Sequence, residues 1–102
     1  GIEPGETPLE CVTREIEEET GFKAGHMEHL MTIITAIGFC DEKIPIYVAT
    51  DLKPSKQHLD EDEFIDVKEF TTDEIREMIF DGRIIDAKTI AGVLGYLSSG
   101  EK

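Results

Sequence analysis

The chain is 102 residues long, 39% hydrophobic and 32% charged, with a formal net charge of -13. That length allows one domain with a thin core, and so acidic a chain is a poor partner for bare nucleic acid, whose phosphates are held by Lys and Arg. Cys11 and Cys40 form no CxxC or CxxH pair, which speaks against a disulfide scaffold and for a reducing cytoplasm; the lack of a signal-peptide pattern or a long apolar run speaks against secretion and membrane spanning.

Residues 1–7 read as a loop, with Pro4-Gly5 suited to a type II turn. A helix is predicted from Pro8: Thr7 is a good N-cap, Pro8 fits the first helical position, Glu10 can close a capping box, and Gly21 ends the helix after Thr20. Residues 29–39 are rich in Ile and Thr and read as a strand, followed by a loop at 38–43. Residues 44–52 form the second predicted strand, with Pro45 placing its start at an edge. Residues 53–63 read as a polar surface connection, and the alternating FIDVKEF at 64–70 as a third strand. Thr71, with Glu74 at the box position, caps a short helix carrying Ile75, Met78 and Ile79 on one stripe and stopped by Gly82. Asp86 caps a last helix with Ile90, Ala91, Leu94 and Leu97 at helical spacing, and Ser98-Ser99-Gly100 and the charged end read as a fraying tail. The elements make one α/β layer pair with a narrow sheet. A first helix with no strand before it gives the chain the look of the later part of something larger.

Four of the five residues from Glu15 to Glu19 are glutamates. At helical spacing Leu9, Val12 and Ile16 fall in a sector roughly 60 degrees wide, the expected core stripe. Glu15, Glu18 and Glu19 fall in a neighbouring sector roughly 100 degrees wide, which also contains Cys11. Like charges at i,i+4 cost about 0.2–0.5 kcal/mol per exposed pair. Arg14 can relieve Glu18 and can pair with Glu10, but one arginine does not neutralise the group. Two readings fit: a solvated helix face, since glutamate is a good helix former, or a face that holds a hard divalent cation such as Mg2+ or Mn2+ together with a phosphate-bearing ligand.

Glu6, then seven residues, then REIEEETGF at 14–22 resembles the Nudix box, G-x5-E-x7-R-E-U-x-E-E-x-G-U with U apolar. Glu6, Arg14, Glu15, Ile16, Glu18, Glu19, Gly21 and Phe22 fit their positions, and the leading glycine of the box would lie just before Gly1. IEPGETP at 2–8, GFCDEKI at 38–44, DEDEFIDV at 60–67 and DGRIIDAKTIAG at 81–92 look like the ADP-ribose pyrophosphatase branch of that family. The resemblance implies a Nudix-type α/β/α sandwich with a mixed sheet, here as a single partial domain over residues 1–102 whose N-terminal strands are missing. It implies Mg2+-dependent (or Mn2+-dependent) cleavage of ADP-ribose or a related nucleoside diphosphate sugar to AMP and a sugar phosphate, and a homodimer for the full-length protein. It assigns metal binding to Glu15 and Glu19 with Glu18 contributing, and makes Glu15, Glu19 and Glu42 the catalytic carboxylates. Glu42 is a loop group that positions or activates water, with Asp41 a weaker candidate. Arg14 and Glu6 are expected to hold loop and helix together.

The alternative is a truncated, inactive Nudix-like domain acting as a metal-binding or interaction module. A plain acidic Mg2+-binding regulatory module would explain the charge but not the full motif. His26, His29 and His58 show no metal-ligand spacing. Cys11 and Cys40 read as small polar filler, and the acidic run Asp60–Glu63 lacks the glycine and spacing of a calcium loop, so it reads as a solvated connection.

Overall fold

A computed structural model describes residues 1–99, with the side chains of Cys40 and Asp41 left aside. The expectations for Asp41 as a base and for a fraying end at Gly100 therefore lie outside the described residues. In chain order the elements are α1 (Pro8–Thr20), β1 (Phe22–Ala36), β2 (Cys40–Pro54), α2 (Thr72–Phe80) and α3 (Ala87–Ser98). The α/β class follows the sequence reading, with three helices and one two-stranded antiparallel sheet of order β1-β2 among the described residues.

Local chemistry explains the helix ends. The Thr7 hydroxyl accepts from the Glu10 amide at 3.1 Å while the Glu10 carboxylate accepts from the Thr7 amide at 2.8 Å, so the capping box satisfies two donors reciprocally. Gly21 closes α1 at φ 78, a left-handed conformation that a side chain disfavours. Thr71 and Glu74 repeat the box at α2, and the Asp86 carboxylate takes the Thr89 amide at 2.9 Å to start α3.

The hairpin departs from the expected strands at both ends. β1 begins seven residues earlier than position 29, and β2 begins at Cys40. The three-residue turn at 37–39, with Gly38 at φ 84, suffices to reverse the chain, so pairing continues through the stretch read as a loop. Glu42 accordingly lies in β2 and is exposed. The third strand at 64–70 does not form, and Phe64 in that stretch is 94% exposed. Alternation marks a residue run that suits a ladder, but a strand exists only where a partner edge is offered.

The chain divides into two compact units, Gly1–Met27 with Ala49–Lys68, and Glu28–Val48 with the segment from Glu69 onward; the hairpin strands run through both. Each unit has a thin core. Among the described residues the buried apolar side chains are Cys11 (6% exposed) in the first and Ile79 (9%) in the second. The expected stripe of α1 is shifted: Leu9 is 45% exposed, and Cys11, expected as polar filler, is its buried side chain. In the second unit α2 packs on α3, and the small faces of Gly92 and Gly95 in α3 lie against Ile46 and against Leu30 and Met31.

Asp51 in β2 has φ 55, which is uncommon for a residue with a side chain. Its carboxylate and carbonyl lie where a Cβ at Gly25 would be, 2.9 Å from that position in the case of the carbonyl oxygen. Gly25→Ala is therefore expected to destabilise the protein by about 1–3 kcal/mol, because backbone must shift. Gly95→Ala meets only the mobile end of Met31 and gains helix propensity, so its cost should stay within ~1 kcal/mol. Urea unfolding of the two variants measures the difference.

Candidate active site

The site is built on α1 and the loops before and after it, all within the first unit. Its anchor is Arg14. The guanidinium forks onto Glu6, with Nε donating to Oε2 at 2.9 Å and Nη2 to Oε1 at 3.1 Å. It also donates from Nη1 to Glu18 Oε1 at 3.0 Å and from Nη2 to the Gly1 carbonyl at 2.9 Å. The Glu10–Arg14 pair anticipated from spacing is not made: Glu10 is taken up by the capping box, and Arg14 turns to the loop. The Arg14 fork, and next the Glu3 amide, hold the Glu6 carboxyl down at about 2.

A cavity of about 250 Å³ is lined by Glu15, Glu18, Glu19, His58, Asp60 and Glu63, together with Gly1, Glu3 and Arg14. Three expected metal ligands thus share one wall. Glu15 accepts from the Cys11 thiol at 3.3 Å. Burial, then the negative charge of Glu15, Glu63 and Glu18, pushes the Glu19 carboxyl up.

Sequence reading missed the opposite wall. The connection at 55–63, read as solvated, is stitched to the open C-terminal end of α1. The amides of His58 and Ser55 donate to the carbonyls of Glu18 and Gly21 at 2.6 and 2.7 Å, and Gln57 Nε2 donates to the Glu19 carbonyl at 2.7 Å. These bonds satisfy carbonyls that have no partner inside the helix, and they carry His58, Asp60 and Glu63 to the cavity. The only signal in the sequence was the demand of those carbonyls for donors, which does not say which segment supplies them. Glu42 belongs to the second unit, on β2.

The residues suit a hard divalent cation. The wall is mainly carboxylate oxygen, the donor that hard cations take, and its crowded negative charge is one that a cation would relieve. Among the described residues no three His, Cys, Asp or Glu side chains converge on a ready-made cage. The Glu6–Arg14 pair yields a pH prediction. Because Glu6 is depressed from 4.5 to about 2, its stabilisation is complete above 4.5 and disappears as pH falls toward 2. Arg14→Lys keeps the charge but loses the fork, so carboxyl 13C NMR titration should find Glu6 back toward 4.5, with acid unfolding starting at higher pH.

Comparison with known proteins agrees with this geometry. The family model described as NUDIX domain matches residues 1–93. A methanol dehydrogenase activator of Bacillus methanolicus is 46% identical over 94 residues, covering 90% of this chain and 51% of that protein. An ADP-ribose pyrophosphatase of Bacillus subtilis (strain 168) is 36% identical, covering 98% of this chain and 55% of that protein. A GDP-mannose pyrophosphatase of Yersinia enterocolitica is 37% identical over 93 residues, covering 88% and 49%. The solved structure of an ADP compounds hydrolase superimposes with a TM-score of 0.81 at 27% identity, over 95% of this chain and 52% of that one. The chain spans about half the length of the curated relatives it matches. Nudix hydrolases generally use divalent metal ions, and the box residues, the carboxylate wall and the match over residues 1–93 together establish that the chain belongs to the Nudix domain family.

Proposed function

We propose that the chain carries the catalytic face of a divalent-metal-dependent hydrolase that cleaves the diphosphate of ADP-ribose or a related nucleoside diphosphate sugar, releasing AMP and a sugar phosphate. The observation that carries this reading is the shared cavity of Glu15, Glu18 and Glu19 with Asp60 and Glu63. The pyrophosphatase names of several relatives support the substrate class. The homodimer and the cytoplasmic setting expected from the sequence belong to the same reading; the buried free thiol of Cys11 suits a reducing compartment.

In this reading Glu15, Glu18 and Glu19 would hold Mg2+ or Mn2+. When bound, such an ion supplies charge neutralisation at the phosphate oxygens and a more acidic water. The chain's own residues do the rest. Arg14 fixes the Glu18 carboxylate and the Cys11 thiol that of Glu15, so the wall is oriented before substrate arrives. A carboxylate is also needed to accept the proton of the attacking water. The family resemblance offers Glu42 for that role. The geometry favours Glu63, which lines the cavity itself. A second reading, an interaction module, is favoured by the name of the Bacillus methanolicus relative.

Hydrolysis of ADP-ribose, followed by AMP release with and without Mg2+, separates the two readings: the enzyme reading expects turnover that chelation abolishes, and metal-independent or absent turnover contradicts it. Replacing Glu19 with Gln should cut kcat by about 10²–10⁴-fold. The same substitution has a stability signature. A carboxyl raised in the folded state disfavours its own ionised form there, so stability falls as pH rises through its titration. Metal-free Glu19→Gln should thus melt at a higher temperature than the wild type at neutral pH, while Mg2+ should raise the melting temperature of the wild type alone. Calorimetry with and without chelator reads both effects.

A further inference from the structure

We propose that Gln57 is a positioning residue whose side-chain amide holds the acidic turn at residues 60–63 against the glutamate face of α1. The role rests on the reading of that face as the cation-binding wall. Nothing in the Nudix box or in the charge pattern singles out this glutamine.

The bonding assigns it. Gln57 Nε2 donates to the Glu19 carbonyl at 2.7 Å and to the Ile65 carbonyl at 3.3 Å. Both partners are acceptors, so the amide nitrogen, with its two N–H groups, is the end that must face them. One carbonyl belongs to the last turn of α1; the other lies just beyond the acidic turn. A single side chain therefore spans from the helix end to the downstream foot of the turn. The upstream foot is held by backbone, through the His58 amide on the Glu18 carbonyl at 2.6 Å. The turn is closed on itself by the Glu63 amide on the Asp60 carbonyl at 2.9 Å and the Asp60 amide on Glu63 Oε1 at 2.7 Å. Held at both feet, it moves as one body.

A clamp is needed here because electrostatics opposes the arrangement. Asp60 and Glu63 share a cavity with Glu15, Glu18 and Glu19, and before a cation enters these charges repel. Gly21 makes the clamp possible: a Cβ there would stand 3.3 Å from the Gln57 backbone nitrogen and 3.7 Å from its Cβ. The glycine that ends α1 also leaves room for the clamp residue to come close.

Two variants test the donor role. Gln57→Met keeps length and loses the amide; Gln57→Glu turns an oxygen toward two carbonyl oxygens. Hydrogen exchange of the metal-free protein should accelerate at residues 60–65 by about tenfold in both, on the order of one hydrogen bond, with α2 and α3 unchanged. Mn2+ titration followed by electron paramagnetic resonance should show affinity weakened by about fivefold to tenfold in Gln57→Met. In a Glu63→Gln background the same substitution should change affinity less than about twofold, because the clamp acts through the turn. Unchanged exchange at 60–65 overturns the proposal, and so does an equal loss of affinity in both backgrounds. If the wild type binds no Mn2+, the cation reading fails while the exchange result still decides the clamp.

Discussion

One guanidinium organises the acidic end of this protein. Arg14 is the central residue of α1 and the point at which the loop before the helix is fastened to it. Its fork onto Glu6, its bond to Glu18 and its bond to the Gly1 carbonyl use the planar donor array that lysine lacks. Glu3 adds a longer ion pair at 3.8 Å. Because Glu6 and Glu18 approach the same cation from opposite sides, the loop and the carboxylate face are fixed by one group. The remaining glutamates of that face, Glu15 and Glu19, are then left turned toward the cavity.

How legible this was in the sequence depends on how local each cause is. Helix ends are written within four or five residues, and the boxes at Thr7–Glu10 and Thr71–Glu74 form as spacing dictates. The grouping of Glu15, Glu18 and Glu19 was equally legible, since helical geometry alone places them on one sector. The errors begin where a distant partner decides. FIDVKEF alternates like a strand but meets no edge, and the ladder of β1 and β2 runs past its expected limits because a three-residue turn brings the strands together at once. Glu42 moved from loop to strand for that reason. Cys11 was read as small polar filler, yet it is the buried residue of α1 and donates to Glu15. Most of the unseen part of the site comes from the segment at 55–63, whose polar sequence suggests solvent but whose amides go to the helix end.

The carboxylate wall is a functional liability accepted within the fold. The chain has little core to spare, with two buried apolar side chains among the described residues. Even so it gathers six carboxylates around one cavity. Such conflict between local stability and global arrangement is the usual mark of a site rather than of packing. The segment at 55–63 is held to the end of α1 by the backbone amides of Ser55 and His58 and by the Gln57 side chain.

The central claim is that these carboxylates hold a divalent ion that also grips a diphosphate. Its most direct test is a Mn2+ titration followed by water-proton relaxation, carried out with and without ADP. The account predicts saturable binding that becomes tighter when ADP is present, since ion, wall and diphosphate share ligands. Binding that never saturates, or an affinity that ADP leaves unchanged, would contradict it.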